Sequence, residues 1–428
     1  MKHFKTSSSL LIIIALFVSC GTGDSSKQKI VITNGSSIHL KDKPVTLVRD
    51  SLRLQEGVNL YPFLTSENGD TIASQLDDID GDGRWDQLFF VADIPAQSSR
   101  NFSLKWVKVP PAYTLRTNVR FGKRSSKETP VFAKTSDTLY ANQVHKALGY
   151  QPYQTDGPLW ENDKVGFRHY FDGRNSKDFF GKTRSYMTPD TVGVNKKGEV
   201  EDNYHVMADW GRDILAVGNS VGIGGFGLIT GDKLCRLGIT NNDTLNNIEK
   251  TNLNIIAEGP VHTALHFGYR NWQAGGRLYQ ADEVTSIWPG MYAFKNSVKI
   301  SGLQGDETLL VGLVNINTDN QPSEIAVNEK FVILYTHDKQ TYDKVWYLGL
   351  ALILPRDAYL GYGEAPAEGP LSNTFYAKLK ITENEPVDYF AVGAWELSDQ
   401  GFTDSEYFRS YVENLAEQLA VEVSISIE

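Results

Sequence analysis

Ionisable and aromatic side chains are densest between positions 160 and 182. The run reads Trp160-Glu161, then Arg168-His169-Tyr170-Phe171-Asp172-Gly173-Arg174-Asn175, then Asp178 and Gly181-Lys182. Arg and Lys neutralise a carboxylate or a sulfate, and Arg can do so bidentately. Tyr and His move protons. A strand over 165–171 would put Arg168 and Tyr170 on one face and His169 on the other. Arg174, Asp178 and Lys182 follow at four-residue spacings, so a helical turn would align them. The competing reading is a charged strand and turn whose surface ion pairs contribute little. A second group follows: Asp202-Asn203-Tyr204-His205, then Asp209-Trp210-Gly211-Arg212-Asp213. A loop His beside carboxylates can carry protons. It can equally be a surface His bonded to backbone.

Other groups carry less. His262 and His266 lie four apart in a run that reads as a strand, where they share a face and could line a cleft with Arg270. They lack the further ligands that a zinc site needs. Asp78, Asp80, Asp82 and Asp86, with Gly83, match the start of a calcium loop. The closing Glu of such a loop is replaced by Phe89, and a strand-like run follows instead of a helix. Calcium bound by these four Asp residues and a hairpin turn whose carboxylates bond backbone amides are both open readings. The run Val217–Leu228 is Gly-rich but lacks a Gly-Lys-Ser/Thr ending and a following helix, which argues against a phosphate loop. No Gly-x-Ser-x-Gly elbow occurs.

The start of the chain reads as an export signal. Lys2 and Lys5 precede a short apolar core over 10–18, and Ser19 precedes Cys20. The core is too short to span a bilayer. The expectation is a leader over 1–19, a lipid on Cys20, a tether over 20–30, and an exported lipoprotein of the outer membrane or periplasm. Cys235 is then the one remaining cysteine, which excludes an intrachain disulfide and a thiolate–metal cluster. Removing Lys2 and Lys5 leaves 40 basic against 52 acidic residues, a net charge of −12. An acidic chain without a basic run is a poor nucleic-acid binder, although a few local Arg and Lys can still form a pocket for an anion.

The elements that must position these groups are mainly strands. Of 428 residues, 41% are hydrophobic and 11% aromatic, an ordinary globular composition rich in strand formers. Short Val-, Ile-, Leu-, Phe- and Tyr-rich runs recur between Gly, Asn and Asp, with no alternating helical blocks. One good helical pattern spans 403–420, with Phe408, Tyr411, Val412, Leu415 and Leu419 at helical spacing and Thr403 or Asp404 as cap. A short helix is expected near 140–148. The polar stretch 108–139, with Pro110, Pro111, Pro130 and RFGKRSSKETP, marks a soft boundary. The fold class expected is therefore mainly β: a small N-terminal β-sandwich over 31–110 and a larger β domain over 111–428, closed by the C-terminal helix.

The block from Trp160 to Lys182, the Tyr204-His205 and Trp210-Gly211-x-Asp213 segments and the start of the Gly-rich run resemble domain-of-unknown-function family 4861. The Asp78–Asp86 loop fits the same pattern. That family occurs mainly as exported proteins of Bacteroidota-type bacteria, often encoded beside polysaccharide-degrading enzymes. The resemblance implies carbohydrate work on a galactose-mutarotase-like β-supersandwich. The chemistry expected is β-elimination on an oligosaccharide containing uronic acid, as a dehydratase or lyase, with an ulvan-type polymer as one source. Arg168, Arg174 or Lys182 would neutralise the carboxylate. His205 and Tyr170 would share the base and acid roles. Glu161 would hold hydroxyls or tune His205, Trp160 and Trp210 would stack on sugar rings, and Asp213 would bind substrate. The alternatives are a glycoside hydrolase using Glu161 with Asp213 or Asp178, and a non-catalytic glycan-binding lipoprotein. No cofactor is required beyond structural calcium at the Asp loop. The partners expected are an oligosaccharide, and a membrane through the lipid alone.

Overall fold

The computed structural model describes residues 27–53 and 60–428. The expected leader, the tether up to residue 26 and the lipidation site Cys20 lie outside the described residues. Among the described residues, no helix is long and apolar enough to cross a membrane. The chain is mainly β with a C-terminal helix, Ser405–Ala420. Asp404 caps that helix, accepting the Glu406 and Tyr407 amides. The second expected helix is a single turn, His145–Leu148.

The main body is a sandwich. One layer is a nine-stranded antiparallel sheet running from Ser136–Tyr140 at one edge to Ser323–Ala326 at the other. Its central strands include Thr263–Ala274, Arg277–Ile287, Ala293–Ser301 and Pro386–Trp395. A five-stranded sheet faces it, ordered Gly211–Asp213, Lys177–Lys182, Val165–His169, Leu159–Asn162, Thr117–Arg120. A second five-stranded sheet, containing Phe226–Thr230 and Glu307–Val314, continues that layer. The layers approach so closely that a methyl group on Gly181 would lie 2.3 Å from the Trp395 ring.

The N-terminal part pairs a five-stranded sheet with a three-stranded one around Ile30, Ile32, Leu64, Leu88, Phe90 and Leu104. Its edge strand is Ser424–Ile427, from the far end of the chain. The strand Gln87–Ile94 serves two cores: Leu88 and Phe90 point into the small one, Phe89 and Val91 into the large one. That is why QLFFVADI is apolar without alternation.

One expectation changes. Lys177–Lys182 is a strand, so Asp178 and Lys182 share a face by alternation, and Arg174 sits apart in the preceding turn. Cys235 is half-buried at the sheet edge. The strand Arg277–Ile287 escapes a search for apolar runs because its buried face carries Glu283 and Thr285 among Tyr279 and Ala281.

Those buried polar groups join the two layers. Lys177 from the five-stranded sheet donates to Glu283 Oε1 at 2.5 Å. Glu283 also accepts from Tyr269 Oη at 2.7 Å and from Asn296 Nδ2 at 2.7 Å. His169 stands 3.4 Å from Lys177 Nζ. Burial and then the Lys177 charge hold His169 far below its usual pKa, so it is neutral. Burial also lowers the Lys177 pKa, against the pull of Glu283. Removing one partner of such a pair strands a charge. Lys177→Met should cost about 3–5 kcal/mol in urea unfolding, and adding Glu283→Gln should recover part of it. Equal stability of the single variant and the wild type would refute this account.

Candidate functional site

The site is built on the outer face of the five-stranded sheet that carries Lys177 on its inner face. Arg168 and Asp178 are direct cross-strand partners, as are Phe180 and Asp213. Alternation therefore sends Arg168, Asp178, Phe180 and Asp213 to one side. Tyr170, two residues past Arg168, lies on that side too.

Arg168 is the centre, with 1% of its surface exposed. Its Nη2 donates to Asp178, to Asp213 Oδ2 at 2.8 Å and to Tyr170 Oη at 2.5 Å. The Tyr170 hydroxyl in turn donates to Asp178 Oδ2 at 2.7 Å. The Tyr170 ring is covered on the other side by Arg174, whose guanidinium carbon lies 3.7 Å from the ring centre. Arg174 is clamped bidentately by Asp172, at 2.9 Å through Nε and 2.6 Å through Nη2. Asp156 Oδ2 stands 3.5 Å from Arg174 and 3.8 Å from Arg168. It also accepts from Tyr204 Oη at 3.4 Å. His205 sits at the mouth, its side chain about half exposed, with Nδ1 3.6 Å from Asp213 Oδ2.

Electrostatics sort these groups. Burial, then the charge of Asp178, pushes Asp213 well above the usual carboxylate range, against the pull of Arg168. Burial also raises Asp156, although Arg168 and Arg174 pull it down. Burial acts on Asp172 in the same direction, but Arg174 and His145 outweigh it and keep the carboxylate ionised. Burial keeps the Tyr170 phenol protonated. Burial, then Arg168, lowers His205, so the imidazole is neutral at pH 7. The result is a neutral, reachable imidazole beside a buried carboxyl, behind which two guanidinium groups are locked in place.

Of the sequence candidates, Arg168, Tyr170, Arg174, His205 and Asp213 come together here. Lys182 and Glu161 do not join them. Lys182 Nζ donates to Glu161 Oε2 at 2.5 Å and to the Asn162 carbonyl at 2.8 Å. Glu161 also accepts the Thr188 amide and hydroxyl. Both side chains are buried and bonded to each other, so they anchor the 188 loop away from Arg168. Trp160 is fully buried in the main core, edge-on to Phe294, and presents no face to a sugar. Trp210 is buried against Phe180, with ring centres 6.0 Å apart. Its role is to support the outer face of the sheet.

His262 and His266 lie elsewhere. His262 bonds Asp77 at 2.7 Å, and His266 bonds Asp282 at 3.0 Å beside Arg270. In the Asp loop, oxygens of Asp78, Asp80 and Asp86 gather within 4.8 Å of one another. Asp82 is outside that group and accepts the Arg84 amide at 2.7 Å. Asp78 accepts the Gly81 and Gly83 amides, and Asp86 accepts those of Ile79 and Asp80. The loop therefore holds its shape through backbone bonds, and three of its four carboxylates could face one cation.

Sequence reading missed Asp156 and the partner roles of Tyr204 and Asp202. Asp156 hides in a Gln-Thr-Asp-Gly-Pro turn. Thr155 and Asp156 both have positive φ, at 49° and 61°, a strain that tends to collect at functional sites.

The comparisons agree with the resemblance read from the sequence. The family model described as "Domain of unknown function (DUF4861)" matches residues 32–425. The chain belongs to that family. It is 23% identical over 440 residues to "Uncharacterized protein P7" of Formosa agariphila, covering 96% of each chain. Among solved structures it is similar to an alpha-mannosidase from Enterococcus faecalis V583, at 10% identity, with a TM-score of 0.46 and 94% of this chain covered. It is also similar to a glycosyl hydrolase family 38 protein from Enterococcus faecalis, at 11% identity, with a TM-score of 0.45 and 94% of this chain covered. The chain spans about half the length of those two structures, 46% and 48%.

The charges around His205 give a testable sign. Asp202 raises its pKa, while burial and Arg168 lower it. Asp202→Asn should therefore move the His205 midpoint further down in an imidazole NMR titration. An upward shift, or none, would show that another group sets the charge of His205.

Proposed function

We propose that this protein is a carbohydrate-active enzyme that opens uronic-acid-containing oligosaccharides by β-elimination, with His205 as the proton carrier. The observation that carries this reading is the neutral, half-exposed His205 beside buried Asp213, next to a guanidinium pair. The base is Nε2 of the tautomer whose ring proton sits on Nδ1, facing Asp213 Oδ2 at 3.6 Å. Arg174, nearest the surface of the two arginines, faces the uronate carboxylate and makes the C5 proton more acidic. Among the described residues its Nη1 makes no hydrogen bond to protein, which leaves a donor for that carboxylate.

The electrons balance without a co-reactant. His205 accepts the C5 proton. The C–H electron pair becomes the C4–C5 double bond as the C4–O bond breaks. The imidazolium then returns its proton to the departing oxygen. If that oxygen leaves as water the enzyme is a dehydratase, and if it belongs to a sugar the enzyme is a lyase. Tyr170 is a positioning residue, since its hydroxyl is buried between Arg168 and Asp178. Export with a lipid on Cys20 would place this site among polymer fragments outside the inner membrane.

A hydrolase reading has one observation in its favour: burial and Asp178 push Asp213 well up, in the direction a general acid needs. Against it, Glu161, the partner expected for Asp213 or Asp178, is buried on Lys182 and Thr188, and Asp178 and Asp213 both grip the same nitrogen of Arg168. A glycosidase pair must flank the scissile bond, and no sugar fits between two groups held on one atom.

The test is ultraviolet absorbance of the unsaturated product, with the soluble mature protein and a panel of uronate polymers and oligosaccharides. Absorbance should rise, and His205→Ala should cut kcat by about 10²–10⁴-fold. Tyr170→Phe should lose less. Because the base must be neutral, kcat/KM should fall on the acid side with a midpoint below the ordinary histidine value of about 6.5. New reducing ends without absorbance would favour hydrolysis. Intact substrate across the panel would leave glycan binding.

A further inference from the structure

A cavity of about 540 Å³ is walled by the segment that the sequence marked as a boundary. Lys123, Arg124 and Lys134 line it, with Asp137 as its one acidic residue. Lys123 is paired with Asp137 at 2.6 Å. Arg124 bonds only backbone carbonyls, those of Gln151 at 2.8 Å and Lys127 at 3.1 Å. Among the described residues Lys134 has no side-chain partner, and no carboxylate neutralises either Lys134 or Arg124. Two uncompensated cations in one concavity stand out on a chain with a net charge of −10.

The same cavity holds aromatic surface. Phe132 lines it from a two-residue strand with 63% of its surface exposed. Tyr150 and Tyr153 form further walls, and the Arg124 guanidinium carbon lies 5.4 Å from the Tyr150 ring centre. Sugar rings stack their C–H faces on such rings, while cations take their acidic substituents. A short relay joins this cavity to the site: Arg124 donates to the Gln151 carbonyl, and the Gln151 amide donates to Asp156.

We infer that this cavity is a distal subsite for a second acidic sugar unit, carrying a carboxylate or sulfate ester, of the chain whose reacting unit lies at His205. This rests on the proposed function for the identity of the chain, but the binding chemistry is independent of the reaction. Lys134 would meet the acidic group, Phe132 would carry the ring, and Arg124 would shape the wall.

The experiment is calorimetric titration of the full mature protein with three tetrasaccharides: an oligogalacturonate, a sulfated carrageenan fragment and neutral cellotetraose. Wild type should bind at least one charged probe, more weakly as salt rises. Lys134→Gln and Phe132→Ala should each weaken that binding about tenfold, the loss of roughly 1.4 kcal/mol. Lys134 and Phe132 are exposed enough for their variants to fold, which circular dichroism would check. Tight binding of cellotetraose alone, no binding of a charged probe, or unchanged affinity in both variants would overturn the subsite. A preference between the galacturonate and the sulfated probe would name the acidic group. Binding lost in these variants with no elimination on any substrate would sink the proposed reaction and leave the subsite standing.

Discussion

The buried pairing of Lys177 with Glu283 constrains the rest of the molecule. It crosses the sandwich between two sheets, in the interior, with Tyr269, Asn296 and His169 packed around it. A pair of this kind adds little net stability over an apolar substitute, but it allows one register and penalises others. A shift of one residue in the strand Lys177–Lys182 would turn Lys177 outward and bury Asp178 against the core. Pinning Lys177 inward therefore aims Asp178 at Arg168 on the opposite face. The site inherits its geometry from a contact on the far side of the sheet.

The outer face repeats the same logic with more charges. Arg168 holds Asp178 and Asp213 with one nitrogen, and Tyr170 closes the group. So many acids beside two arginines cannot all ionise in a buried place. Burial and then Asp178 push Asp213 up, while Arg174 outweighs burial at Asp172 and holds it down. His205 stays neutral at the opening because burial and Arg168 both oppose its charge. Rigidity behind and a proton-accepting group in front is the arrangement that acid–base chemistry asks for.

Much of this was legible in the sequence, for local reasons. Alternation placed Arg168 and Tyr170 on one face and His169 on the other. The C-terminal helix followed from its spacing and cap. The family resemblance rested on residue combinations dense enough to survive without an alignment. Errors came where a side chain's partner lies far away in the chain. Lys182 and Glu161 look like site residues by type, yet they satisfy each other in the interior. Trp160 looks like a sugar platform, yet it faces Phe294 in the core. The central strand Arg277–Ile287 carries a buried charge, Glu283, that is matched only across the sandwich.

Sequence by itself determined the strand-rich class, the family and the kinds of groups available, because composition, period-two alternation and capping act over a few residues. Tertiary structure alone decided which of those groups are free. The side chains of Arg168 and Asp213 are 45 residues apart, and those of Lys177 and Glu283 are 106 apart. Whether a charge at such a distance finds a partner depends on register and sheet packing, and those are properties of the whole fold.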